Sequence, residues 1–327
     1  MRLLLAACLF ICGESVRAEE RVTDRAAVDQ AIRRGLTFLT KDALAWKEKH
    51  QCNSCHHAAL VVSAMREAKR RGHIIEEPVL AELTKWMAES GEGKTSVPRP
   101  PGIPKAVNTK AIYYASALGI DPQRDKIEQT GLEKMIGTVK DDQLENGSWA
   151  AWPETRPPIF VPSDDTATVS ATLALLPLAD SDPAAKSAIE RSVRWLSENP
   201  TDGDPQSVAL RVILWSRLGR PTEEITPLIA RIRERQNSDG GWSQTNEMPS
   251  DAWATGQALY ALAHAGAETG DAAVVRGQKF LVNSQKDDGS WPMTSRPIKP
   301  GGEGSKSLVP IVGAGSSWGV LGLVRSR

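Results

Sequence analysis

Gln285-Lys286-Asp287-Asp288-Gly289-Ser290-Trp291 has two further copies in the chain, Gln143-Leu144-Glu145-Asn146-Gly147-Ser148-Trp149 and Gln236-Asn237-Ser238-Asp239-Gly240-Gly241-Trp242. The shared pattern is Gln-x-x-(Asp/Asn)-Gly-(Gly/Ser)-Trp, and self-similarity of this kind marks a repeat architecture. Each copy follows an amphipathic helical segment, such as Arg276-Gly277-Gln278-Lys279-Phe280-Leu281, and precedes a Pro-rich loop. A second helix then starts. Ser163-Asp164-Asp165-Thr166-Ala167-Thr168 and Ser250-Asp251-Ala252-Trp253-Ala254-Thr255 align residue for residue, and each opens an Ala-rich helix. Ser or Asp at such a start accepts from first-turn amides that have no partner within the helix.

Degenerate copies fill the rest of the chain. They are Glu82-Leu83-Thr84-Lys85-Trp86 with Val107-Asn108-Thr109-Lys110-Ala111, Arg194-Trp195-Leu196 with Asp204-Pro205-Gln206-Ser207-Val208-Ala209, and Ser316-Ser317-Trp318-Gly319-Val320-Leu321 at the end. The first copy is Arg34-Gly35-Leu36-Thr37-Phe38-Leu39, whose second helix runs from Ala58 to Arg70. No strand-like alternation competes. Six hairpins with polar outer helices and Ala/Gly-rich inner ones predict an all-α chain closed as a single (α/α)6 toroid. The register places His56, Asn108, Asp164, Gln206, Asp251 and Ser316 at the N-terminal ends of inner helices, ringing one mouth with a cavity beside His56.

These residues resemble the terpenoid-cyclase and protein-prenyltransferase toroids, whose QW repeat reads Arg/Lys-Gly-x-x-(aromatic)-(Leu/Trp)-x-x-x-Gln-x-x-x-Gly-x-Trp. Arg276, Gly277, Phe280, Leu281, Gln285, Gly289 and Trp291 match it in order. The resemblance spans nearly all of the chain after the leader and is closest to small exported bacterial proteins with squalene-cyclase-type repeats.

A second motif points to different chemistry. Gln51-Cys52-Asn53-Ser54-Cys55-His56-His57 contains Cys-x-x-Cys-His, the spacing that attaches haem c through two thioethers and offers the next imidazole to iron. The chain starts with Met1-Arg2 and an apolar stretch, and Val16-Arg17-Ala18 reads as a cleavage site, so residues 1–18 are expected to be a signal peptide and 19–327 the toroid. That implies a periplasmic or otherwise exported protein without a transmembrane helix after cleavage. Removal of Cys8 and Cys12 leaves Cys52 and Cys55 in an oxidising compartment as haem thioethers, zinc ligands with His56 or His57, or a local disulfide or thiol-redox pair. The haem c reading makes His56 the proximal iron ligand, with Met65, His50, His73, Met248 and Met293 as candidate distal ligands, of which Met248, in the loop before Asp251, is favoured.

Pro162-Ser163-Asp164-Asp165-Thr166-Ala167 resembles the Asp-x-Asp-Asp-Thr-Ala acid motif of squalene-hopene-type cyclases, which implies Asp164 as general acid with Asp165 beside it. Here Pro162 stands where the motif has its first Asp, and the parallel Ser250-Asp251 makes Ser-Asp this chain's ordinary helix start. Aromatic residues that shelter carbocations are also scarce, with 4 Phe and 3 Tyr, and most of the 10 Trp belong to repeat loops or outer helices, Trp253 and Trp318 excepted. The full cyclases use two toroids where this chain supplies one. Equal numbers of basic and acidic residues, 40 each, give no polybasic footprint for nucleic acid.

The expectation is therefore an exported toroid with one haem c, acting with an unidentified partner in electron transfer or redox sensing. Its alternative is a cyclase or isomerase on an isoprenoid-like substrate, with an apolar small molecule in the toroid. A third reading is a non-catalytic interaction scaffold. Whether the protein is an enzyme stays open on sequence alone.

Overall fold

The repeat glycine is fixed by geometry. Gly147, Gly240 and Gly289 adopt φ of 91°, 87° and 88°, a conformation that side chains rarely take. A Cβ on Gly289 would also lie 2.3 Å from the Arg34 carbonyl oxygen on the next outer helix. The Asp or Asn before it shapes the same turn: Asp288 Oδ1 accepts from the Ser290 N–H at 2.9 Å, and Asn146 Oδ1 from the Ser148 N–H at 3.0 Å.

In a computed structural model describing residues 24–50, 55–89, 106–151, 158–159, 163–201, 203–297, 304 and 306–327, these loops join twelve α-helices into six hairpins. In chain order the pairs are α1 (Arg25–His50) with α2 (Leu60–Arg70), and α3 (Glu77–Glu89) with α4 (Thr109–Leu118). Next come α5 (Lys126–Asp141) with α6 (Asp164–Leu175), and α7 (Pro183–Glu198) with α8 (Pro205–Arg217). The last are α9 (Thr222–Glu234) with α10 (Ala252–His264), and α11 (Ala272–Ser284) with α12 (Val309–Ser326). A single π turn, Cys55–Ala59, leads into α2. Odd helices form the outer ring and even helices the inner one, so the inner helices all run the same way. The expected (α/α)6 toroid is present, and no helix among the described residues is long and apolar enough to cross a membrane.

The Gln and Trp of each repeat are structural fasteners. Gln143 Nε2 donates to the carbonyls of Gly147 and Ala188 at 2.9 Å each, and Gln236 Nε2 to those of Gly240 and Ala273 at 2.8 Å each. Gln285 Nε2 does the same to Gly289 and Ala31 at 3.0 Å, which ties the sixth hairpin to the first and closes the ring. Each indole N–H reaches back to its own outer helix, Trp149 to the Val139 carbonyl at 2.7 Å, Trp242 to Ile232 at 2.6 Å and Trp291 to Leu281 at 2.8 Å. All three indoles are buried.

The same loops set the inner register. The N–H groups of Trp149, Trp242 and Trp291 donate to the hydroxyls of Thr168, Thr255 and Ser316. Ser316 is therefore the counterpart of Thr168 and Thr255, not of Asp164 and Asp251. It lies inside α12, which begins earlier, at Val309, and whose N-cap Leu308 has no capping side chain. Asp251 does cap its helix, accepting from the Ala254 N–H at 2.9 Å, whereas in α6 Ser163 holds the cap and Asp164 is the first helical residue.

Candidate functional site

Small residues bring the inner helices together around a cavity on the axis with a volume of about 360 Å³, lined by residues from all six of them. That lies at the lower end of the range for small-molecule sites. Its walls near the helix starts and middles are largely apolar, with Leu60, Ile112, Ala167, Leu210 and Ile213, and three aromatic side chains, Tyr113, Tyr260 and Trp318, face the same space. The Tyr113 hydroxyl donates to the Ile159 carbonyl at 2.8 Å. Trp318 is met edge-on by Tyr260, at 5.8 Å between ring centres, and by Trp253, at 6.0 Å. Such faces present negative quadrupole to a cation held between them.

The opposite end, where the inner helices finish, is polar. Glu67, Arg70, Arg217, His264 and Arg325 line it. Glu67 is only 2% exposed and accepts from Arg325 at 3.0 Å, with Arg71 at 3.7 Å. Burial, then the charges of Arg325 and Arg217, push the His264 imidazole down to about 3, so it is neutral at physiological pH.

The two aspartates of the acid-like motif take separate positions. Asp164 is exposed at the start of α6, and its carboxylate accepts from the Ala151 N–H at 2.8 Å. Ala151 lines the cavity, as do Thr166 and Ala167 in the same turn of α6, while Asp164 itself is not among the lining residues. Asp165 is buried, paired with the Arg211 guanidinium and accepting from the Ser207 hydroxyl. It is a structural link between α6 and α8.

The haem motif is elsewhere. Cys52 and the Cys55 side chain lie outside the described residues, as do residues 1–18. His56 meets Trp46 edge-on at 5.0 Å and abuts the His57 ring, while His57 stacks on Trp46 at 4.2 Å and reaches Asp42 at 2.9 Å. Burial, then the neighbouring His57, pushes His56 down to about 3. His56 is not among the residues lining the cavity, whose wall on this side begins at Leu60. Met248 sits in the turn before α10, and α12 stands between α10 and α2. His56 leads into α2 and so shares the end at which Asp164 and Asp251 start their helices, as expected, but the cavity expected beside His56 is not lined by it.

The chain has the α/α toroid of the terpene cyclases. It superposes on the type II terpene cyclase MstE from Scytonema, without ligand, with a TM-score of 0.56 at 14% identity over 91% of this chain and 98% of that one. A variant of that enzyme holding geranylgeranyl dihydroxybenzoate as substrate gives a TM-score of 0.57 at 14% identity over 92% and 97% of the two chains. Another variant, with merosterolic acid A as product, gives 0.58 at 14% identity over 92% and 99%. No family model and no curated protein matches the sequence.

Two corrections follow. A type II cyclase is covered over nearly its full length by this chain, so one toroid does not argue against cyclase chemistry. The reading as a haem protein for electron transfer gives way: the toroid matches cyclases with prenylated ligands, and among the described residues no three His, Cys, Asp or Glu side chains gather to hold a metal. The unidentified redox partner goes with it.

Asp251 carries a pH signature. Burial pushes its carboxyl up to about 6, against the stabilising hydrogen bonds from the Ala254 N–H, Gln244 and the Trp253 N–H. Between the unfolded value of 3.8 and about 6 the folded state binds the extra proton, so this group's contribution to stability declines as pH rises through that window. Urea titrations at pH 4 to 7 should show this decline in wild type, and the difference from Asp251→Asn should isolate it. A difference that does not vary with pH would contradict the assignment.

Proposed function

We propose that the protein binds an isoprenoid-like chain in its axial cavity and acts on it as a cyclase or isomerase, with Asp164 as the proton donor at the mouth. The observation that carries the reading is the cavity itself, a space with apolar walls and aromatic side chains at one end and a polar lining at the other, inside a cyclase-type toroid. Protonating an alkene generates a carbocation, and Tyr113 and Trp318 offer the rings that would shelter it, whereas the Tyr260 ring already carries the Arg325 guanidinium. Support for Asp164 is its position: its carboxylate is one hydrogen bond from Ala151, which lines the cavity. Cyclisation leaves the atom count unchanged, since the proton added at one end of the chain is returned from the other.

A non-catalytic binding protein is the second reading, and one observation favours it. Among the described residues that line the cavity the only carboxylate is Glu67, already engaged by Arg325, while the Asp164 carboxylate is exposed.

Incubation with geranylgeranyl substrates, followed by mass spectrometry for isomeric products, separates the two. The cyclase reading predicts product formation that falls by about 10² to 10⁴ in Asp164→Asn, the usual contribution of a general acid. The same variant should lose only about 1 kcal/mol of stability, the scale of the single hydrogen bond that Asp164 accepts from the Ala151 N–H. Retained turnover in Asp164→Asn would remove this residue from the mechanism, and binding without product would establish the second reading.

A further inference from the structure

We propose that the polar end of the cavity is an anion site that seats the acidic head of an amphiphilic isoprenoid, a carboxylate or a phosphate ester, with its hydrocarbon chain lying along the axis. This rests on the isoprenoid reading of the cavity and adds the head to the chain.

Arg70, Arg217 and Arg325 come from the last turns of three inner helices and line the same end of the cavity, where Glu67 is the single lining carboxylate among the described residues. Two of the three cations have partners. Arg325 donates to Glu67 at 3.0 Å, and Arg70 to the Ile120 carbonyl at 3.0 Å. Arg217 differs, because among the described residues nothing accepts from its guanidinium. It is exposed, lies beside Tyr260, Arg325, Arg70 and Glu67, and lines the cavity.

A cation in the last turn of a helix ordinarily complements the helix dipole. That accounts for each arginine singly and not for their convergence. Three gathered at one cavity end repel, less the screening that solvent gives the exposed Arg70 and Arg217, and the single lining carboxylate among the described residues leaves an excess of positive charge. An anion removes it. The guanidinium fork matches the paired oxygens of a carboxylate or phosphate, and the Tyr260 hydroxyl and His264 ring, whose ring centres lie 4.8 Å apart, supply neutral donors beside it. Ile112, Leu210 and Ile213 then line the path for the chain.

Calorimetric titration of the full-length protein with farnesol, farnesoic acid, farnesyl phosphate and inorganic diphosphate tests this. Farnesoic acid, farnesyl phosphate or both should bind at least about tenfold more tightly than the alcohol, the scale of a hydrogen bond to a charged group. Arg217→Gln should erase that advantage while leaving the alcohol's affinity unchanged, and Arg217→Lys should restore part of it. An advantage for both compounds identifies a general anion site; an advantage for one of them identifies its head group. Equal affinity for all three farnesyl compounds, or an advantage that survives in Arg217→Gln, overturns the anion site and leaves the isoprenoid reading standing. Diphosphate binding as tightly as the chain-bearing anions overturns the amphiphile. No binding by any farnesyl compound overturns both readings.

Discussion

Arg211→Met is expected to destabilise the protein by about 3 to 5 kcal/mol, the loss seen when one member of a buried ion pair is removed. Arg211 donates to Asp165 and to the carbonyls of Leu196, at 2.9 Å, and Asn199, at 3.0 Å, where α7 ends. Without the guanidinium, Asp165 keeps the Ser207 hydroxyl but loses its counter-charge in a site where it is only 7% exposed. The double variant Asp165→Leu/Arg211→Met should lose much less than the sum of the two singles, because the isolated charge is then gone. Urea midpoints of the four proteins give the coupling directly. Strict additivity would show that the pair does not hold α6 to α8.

The second large effect is predicted at Gly256, where α10 and α12 meet backbone to backbone. A Cβ there would lie 2.1 Å from the Trp318 carbonyl oxygen, and one on Gly322 would lie 2.7 Å from the Gly256 Cα. Neither partner is a side chain that can turn away. Gly256→Ala should therefore cost about 3 kcal/mol or more, the upper range for overpacking. Ligand binding should weaken with it, since separating these helices displaces Trp318 and Tyr260 on the cavity wall. Gly137 in α5 is the control, with no atom within 4 Å of an added Cβ, so Gly137→Ala should be neutral or stabilising by up to about 1 kcal/mol. Thermal denaturation of both variants decides it, and a Gly256→Ala protein as stable as wild type would contradict the close approach.

Much of the architecture was legible because the repeat loop encodes its own partners. Gln, Gly and Trp each make one defined contact with a helix, so three intact copies suffice to announce a ring of hairpins. The register failed at Ser316, where the sequence was aligned on a small polar residue near a Trp. A helix that begins without a Ser or Asp cap gives no signal of its true start, and α12 begins behind Leu308.

The cavity was legible only in part. Trp318 stood out as a Trp outside the repeat loops, and it does face the cavity. Arg70, Arg217 and Arg325 gave no functional signal, since a basic residue closing a helix is accounted for by the helix itself. Each is more than a hundred residues from the next in sequence, and ring closure alone assembles them. The Cys-x-x-Cys-His spacing pulled the reading towards haem because it is a strong local pattern. It could not reveal that His56 packs against Trp46 and His57 and is not among the residues that line the cavity.

Whether an isoprenoid chain occupies the axial cavity is tested most directly by photo-crosslinking with a diazirine-bearing geranylgeranyl probe, followed by peptide mapping. The account predicts labels on α4 and α8, at Ile112, Leu210 and Ile213, that are suppressed by unlabelled geranylgeranyl competitor. Labelling confined to the outer helices, or labelling of the cavity residues that competitor leaves unchanged, would contradict it.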